Sequence, residues 1–262
     1  MKITSRDNSL LRHARAVRDG KISEAIFVEG LRLCAEALRS GLRIEAVIYS
    51  EQLARKDRAA ELIHEFERIA ANTASVSEKL LESISYTKTP QGIVALASRP
   101  ALQGEEFGAR GGANALLVVL HRINNPVNVG AILRTAEAAG ATGVITTSGT
   151  ADPFSPKSLR GAMGATFRLP IWTGVDYAQI IDWCRDQRVQ TVCADVHAQK
   201  SYSDFDWRQP TAIIMGAESD GLSGEEIALA NASVSIPMRG GTESLNVAVA
   251  AGVLLYEASR QR

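Results

Sequence analysis

The chain has 262 residues, 45% hydrophobic and 22% charged, an ordinary globular composition that excludes a disordered or fibrous chain. Lys plus Arg total 29 and Asp plus Glu total 29, so bulk charge carries no footprint of a nucleic-acid partner. No apolar run approaches the roughly 20 residues of a membrane helix, and the opening MKITSRDNSL lacks the apolar core of a secretory signal.

Taken in chain order, the charge is uneven. Residues 1–100 carry 16 basic and 13 acidic side chains, net +3, and residues 101–262 carry 13 and 16, net −3. The basic excess sits in Lys2, Arg6, Arg12, Arg15, Arg18 and Lys21. A solvated helix face and an RNA-contacting arm both read this way. Leu31, Cys34 and Leu38 then follow helical spacing, with Gly41 as a stop. Ile44–Tyr49 predicts a strand, and Leu62, Phe66 and Ile69 a second amphipathic helix. GIVALAS at 92–98 predicts a buried strand after a Thr-Pro turn. These elements make a small α/β domain over residues 1–98. RPALQGEEFGARGGAN, residues 99–114, holds four glycines and no apolar period, and predicts a linker over 99–113.

Residues 114–262 predict a second domain. Ala115–Leu120 is a continuous apolar run, as in a strand covered on both faces. A helix is expected over Asn128–Ala139 with Asn128 as its N-cap, then a strand at Gly143–Thr146. Asp176 and Gln179 have capping-box spacing for a helix to Arg188. Further strands are expected at Gln190–Ala194, Thr211–Met215 and Ser233–Ile236, and a terminal helix from about Ser244. This alternation predicts a mainly parallel sheet with helices on both faces, and ligands beyond its carboxyl edge. Three cysteines without C-x-x-C fit a reducing cytosol, and four histidines without ligand spacing give no metal site.

Three loops follow those strand ends. HRINNPVNVGAILR places Pro126 and Asn128 at a helix start and Arg134 six residues on. IIMGAESDGLSGEE places Gly216 against a strand end and Glu218 beside it. SIPMRGGTESLNV carries Gly240-Gly241 and two polar side chains, Ser244 and Asn246, before an apolar helix. Gly216 and Gly221 do not make G-x-G-x-x-G, which weakens a nicotinamide-binding reading.

Asn125–Ala136, Gly216–Ser223 and Ile236–Val247 resemble, in order and spacing, the three motifs of the SpoU (TrmH) RNA 2′-O-ribose methyltransferases of the SPOUT superfamily. SPKSLRGAMGATFRLPIW, residues 155–172, resembles the region between the first two motifs. FVEGLRL at 27–33 and TPQGIVA at 89–95 resemble the family's ribosomal-protein-like substrate-binding domain. The resemblance implies a deep C-terminal trefoil knot, a homodimer with active sites at the interface, and S-adenosylmethionine as cofactor. It implies that Gly216, Ile236 and Leu245 contact the cofactor, that Pro237 and Met238 wall its adenine pocket, and that Asn128, Arg134, Glu218, Ser244 and Asn246 form the catalytic set. Arg12, Arg15, Arg18 and Arg160 are the expected RNA contacts. Ser219 and Ala162 depart from the family's common glycine and serine. The implied activity is methylation of a ribose 2′-hydroxyl in structured RNA, ribosomal RNA first and tRNA second, in the cytoplasm. The rival reading is a non-catalytic RNA-binding paralogue.

Overall fold

A computed structural model describes residues 1–100, 102, 104, 106, 107 and 114–262. The chain divides into two compact units, Met1–Pro100 with Phe154–Phe167, and the remainder. Most of the expected linker lies outside the described residues. At its middle, Phe107 is helical and buried, with its ring 5.6 Å from that of Trp183 and 6.1 Å from that of Trp172.

The first unit runs α1 (Ser9–Arg18), β1 (Ala25–Glu29), α2 (Leu31–Arg39), β2 (Ile44–Ser50), α3 (Asp57–Ile69), β3 (Asn72–Val76), α4 (Glu78–Ile84) and β4 (Ile93–Ser98). Its sheet has the order β1-β4-β2-β3, with only β2 and β3 parallel. Leu11, Ala14 and Val17 on one stripe of α1 join Phe27, Ile48, Leu81 and Leu96 in the core. The strands β1 and β3 and the helix α4, absent from the sequence reading, complete this layer.

The second unit begins with β5 (Leu116–Leu120), α5 (Pro126–Ala138) and β6 (Gly143–Thr147). The chain then forms α6 (Pro156–Ala162), grouped with the first unit, where it packs on β1, and α7 (Ala165–Arg168), grouped with it up to Phe167. It continues with β7 (Ile171–Val175), α8 (Tyr177–Asp186), β8 (Gln190–Ala194), β9 (Thr211–Met215), α9 (Gly224–Leu229), β10 (Ala232–Val234) and α10 (Val247–Gln261). The six strands are all parallel, in the order β10-β8-β9-β5-β6-β7. Leu117, Val119, Ala212 and Ile214 face Ile180, Ile181 and Cys184 of α8. Alternate residues such as Val118 and Ile213 are equally buried, because side chains alternate across a strand and α10, packed on α5 and β9, covers the other face.

Three helix starts differ from expectation. Asn125, not Asn128, caps α5, its side chain accepting from Val127 N at 3.0 Å with Pro126 in the first position; a proline there already has helical φ and no orphaned N–H. Asp176 precedes α8 without a side-chain cap. The capping box belongs instead to Ser223 and Glu226 on α9. The terminal helix starts at Val247, with Asn246 as its cap. Among the described residues no helix is long and apolar enough to cross a membrane.

Candidate active site

The two central strands deliver two loops side by side. Leu120 pairs with Met215, and His121 N donates to Met215 O at 2.9 Å just beyond the sheet. Glu218, on the loop after β9, bridges to the loop after β5. Its Oε2 accepts from Asn124 N at 3.2 Å, and its Oε1 from Asn125 N at 3.3 Å and from Asn128 Nδ2 at 3.1 Å. Asn128 Oδ1 accepts from Asn246 Nδ2 at 3.3 Å, and Asn246 Oδ1 accepts from Ala248 N at 2.9 Å. Each amide is thereby oriented: the carboxylate can only accept, so Asn128 must present its nitrogen to Glu218 and its oxygen to Asn246. One polar relay joins all three loops.

The Glu218 loop is itself a tight reversal. Gly221 N donates to Ala217 O at 3.0 Å, and Gly221 has φ +65°. Gly216 is required by the backbone opposite, because a Cβ there would sit 2.7 Å from Gly221 C and 2.8 Å from Leu222 N. A second clasp closes the base of the loop. His121, 5% exposed, has Nε2 2.9 Å from Glu226 Oε1, and Arg122 Nη2 lies 3.0 Å from the same carboxylate. Tyr177 lies beneath, its ring 4.7 Å from the imidazole and its hydroxyl donating to Glu226 O at 2.9 Å. Burial pushes the His121 pKa below its ordinary value, against the pull of Glu226. Among the described residues His121 Nδ1 is buried without a partner, so a second ring proton would be an orphaned donor. Burial raises the Glu226 carboxyl, but hydrogen bonds from Ser223 and His121 outweigh it and hold the pKa low. The pair is therefore neutral imidazole donating to carboxylate.

Beside the relay lies a cavity of about 510 Å³, within the range of small-molecule sites. Gly216, Glu218, Ile236, Met238, Ser244 and Leu245 line it, as do Asp195, Val196 and His197 after β8, Asp220 and Glu243. Val234, Ile236, Met238 and Ala250 give the lining an apolar part, and four carboxylates, Asp195, Glu218, Asp220 and Glu243, belong to it as well. That combination fits a ligand with a flat apolar ring and a cationic group. Pro237 is exposed and outside the lining. The β8 loop and Glu243 escaped the sequence reading; the carboxyl-edge position of Ala194 was the available signal. His121 and Glu226, 105 residues apart, gave none.

Arg134 is exposed on α5 and makes no hydrogen bond or ion pair among the described residues. It lies six residues beyond Asn128 on the helix, about 120° around the axis, and is not drawn into the relay. Arg12 and Arg160 are exposed. Arg15 Nη2 donates to Arg6 O at 2.9 Å. Arg18 Nη1 donates to Ser83 O at 3.5 Å and Ser85 O at 3.3 Å, while its Nε pairs with Asp19; it serves the carboxyl end of α4. All three cysteines are buried with raised thiol pKa values, Cys193 to about 11, which removes them as nucleophiles.

A wholly parallel α/β sheet with a cavity at its carboxyl edge places the protein in the open-sheet α/β class, whose ligands bind at that edge. Residues 115–256 match the model of the SpoU rRNA methylase family, and residues 12–95 match an MRM3-like substrate binding domain. The chain belongs to the SpoU rRNA methylase family, S-adenosylmethionine-dependent RNA 2′-O-methyltransferases. It is 33% identical, over 90% of its length and 82% of the relative's, to the 23S rRNA (uridine(2479)-2′-O)-methyltransferase of Streptomyces viridochromogenes. It is 34% identical, over 82% and 89%, to the 23S rRNA (guanosine-2′-O-)-methyltransferase RlmB of Bordetella pertussis. The AdoMet-bound rRNA methyltransferase of Sinorhizobium meliloti superposes with a TM-score of 0.87 at 30% identity, over 99% of this chain and 97% of that one.

Proposed function

We propose that this protein methylates a ribose 2′-hydroxyl of ribosomal RNA, and that the Glu218–Asn128–Asn246 relay at the cavity rim carries the reading. The names of two relatives, both 23S rRNA methyltransferases, support ribosomal RNA over tRNA. When bound, S-adenosylmethionine supplies an electrophilic methyl group. Ile236, Met238 and Leu245 would hold its adenine, and Gly216 would shape the loop beside it. The carboxylates of Asp195, Glu218, Asp220 and Glu243 suit its positive charge.

The remaining work falls to side chains. A ribose hydroxyl is a weak acid and must be polarised. An arginine side chain is a poor general base, so the role of Arg134 is to grip a phosphate next to the target and polarise the hydroxyl, with Ser244 and Asn246 orienting the ribose. Asn128 and Glu218 hold the loops in register. An unpaired, exposed Arg134 fits a site completed by a second copy. Val127 on α5, Leu245, and Val249 and Tyr256 on α10 are exposed by 36–55%. Apolar exposure on two adjoining helices supports a homodimer through this face. The knot belongs to the same proposal: α10 packs on α5 and β9 after its leading loop has lined the cavity with the β8 and β9 loops. So does the division of labour, with residues 1–98 recruiting RNA, 114–262 catalysing and 99–113 linking, in the cytoplasm.

Calorimetry with S-adenosylmethionine separates the enzyme from a non-catalytic paralogue. The enzyme should bind at micromolar concentrations, and absence of heat at millimolar cofactor would favour the paralogue. Mapping 2′-O-methyl groups in total RNA, with and without the protein, distinguishes ribosomal RNA from tRNA.

A further inference from the structure

The sharpest unexplained feature of the first unit is a clamped loop that presents an aromatic ring to solvent. Residues 85–91 connect α4 to β4. Glu29, at the end of β1, is 7% exposed and spends its carboxylate on this loop. Its Oε2 accepts from Tyr86 N at 2.8 Å and Thr87 N at 3.2 Å, and its Oε1 from the Thr87 hydroxyl at 2.6 Å. The far end is seated as well. Gln91 Oε1 accepts from Leu31 N at 3.2 Å, above Gly30, whose φ of +101° no side chain adopts readily and where a Cβ would meet that oxygen at 2.8 Å. Arg18 holds the near end through the carbonyls of Ser83 and Ser85. A buried carboxylate with three donors is a costly anchor for a connecting loop.

What the anchor holds outward is Tyr86, 45% exposed, with Lys88 two residues on. Arg32, in the first turn of α2, follows the residue that holds Gln91. Neither Lys88 nor Arg32 has an ion-pair or hydrogen-bond partner among the described residues, and Tyr86 packs on no other ring. An exposed aromatic ring on an anchored loop, with unpartnered cations on that loop and on the helix that seats its far end, is a combination suited to unpaired nucleotides, bases stacking on the ring and phosphates meeting the charges.

We infer that the loop 85–91 is an RNA-reading element, in which Tyr86 stacks on an unpaired base and Lys88 and Arg32 contact the neighbouring phosphates. The inference rests on the reading of this protein as an RNA methyltransferase and assigns its first unit a definite contact. A stacking contact is not ionic, so it and the phosphate contacts separate by salt dependence.

The experiment is filter binding of the full-length protein to 23S ribosomal RNA transcribed in vitro, across a salt series, with S-adenosylmethionine titrated in parallel. Tyr86→Ala should weaken RNA binding about 5- to 100-fold with an unchanged salt slope, Tyr86→Phe should bind within about twofold of wild type, and cofactor affinity should not move in either. Lys88→Ala with Arg32→Ala should reduce the slope by about 1.4, two single-strand phosphate contacts. Wild-type RNA affinity in Tyr86→Ala overturns the inference, as does an equal loss in Tyr86→Phe. A Tyr86→Ala protein that binds naked RNA normally but loses affinity for assembled ribosomal subunits assigns the loop to a protein contact and also overturns it. If wild-type protein binds cofactor but no ribosomal RNA, the parent reading of the substrate fails, and this one with it.

Discussion

Asn128 offers its amide nitrogen to Glu218 and its oxygen to Asn246, at 3.1 and 3.3 Å, so one side chain on α5 sets the spacing of two loops that line the cavity. Asn128→Asp puts two carboxylates in contact and should lower methyl transfer about 10- to 100-fold, a coupling of about 1–3 kcal/mol. Adding Glu218→Gln restores a donor opposite Asp and keeps an acceptor for Asn124 N, at the cost of the bond from Asn125 N, which shares Oε1 with Asn128. Recovery of activity in the double variant, measured in a double-mutant cycle, is the expected outcome; additive losses would separate the two residues.

Arg134→Ala should lose methyl transfer by at least about 100-fold in kcat while S-adenosylmethionine binding stays within about twofold, because Arg134 is outside the cavity lining and would contact only the reacting RNA. Steady-state kinetics beside calorimetry reads both.

Gly216→Ala should abolish cofactor binding even though methyl is the smallest addition. The clash is with the backbone of Gly221 and Leu222, which cannot swing aside. The turn must open, and the cavity wall with it. Thermal melting should show a loss of about 1–3 kcal/mol, and unchanged affinity would mean that the turn is not part of the cofactor site.

The clasp at His121 makes the protein acid-sensitive. Its folded pKa is depressed from the ordinary 6.5, so the unfolded chain binds the extra proton first and stability falls as pH drops below about 6.5. Glu226, also depressed, adds loss in the same direction at lower pH, below the carboxylate range. His121→Gln keeps a donor toward Glu226 without the titration. Its melting temperature should decline less than wild type between pH 7 and about 5.5.

The four arginines expected to meet RNA should divide. Arg12→Ala and Arg160→Ala should each lower the salt slope of RNA binding by about 0.7–0.9. Arg15→Ala and Arg18→Ala should instead lower the melting temperature, since these guanidiniums are committed to Arg6 O and to Ser83, Ser85 and Asp19 respectively.

What could be read from sequence was local. Leu116–Leu120 and Thr211–Met215 announce themselves because strands buried on both faces are unbroken apolar runs. Two of the three motif loops were legible because they follow such strands; the third follows the short, half-buried edge strand β10 and was legible from its own Gly-Gly and polar residues. Helix starts were legible only to within a turn: Asn125 and Asn128 are both good caps, and Pro126 decides between them. Asp176 had the spacing of a capping box without its hydrogen bond. Tertiary choices left no trace in sequence. Nothing near Arg18 says that it faces the carbonyls of α4, and nothing near His121 names Glu226 as its partner. That α6 would pack on β1 of the first unit was equally unreadable, since its Leu159 and Ala162 suit any apolar surface.

The most direct test of the central claim is transfer of labelled methyl from S-adenosylmethionine to 23S ribosomal RNA transcribed in vitro, followed by nuclease digestion and nucleoside analysis. The account predicts label in a single 2′-O-methylnucleoside with wild-type protein and none with Arg134→Ala. Label on a base, or equal 2′-O-labelling by the Arg134→Ala variant, would contradict it.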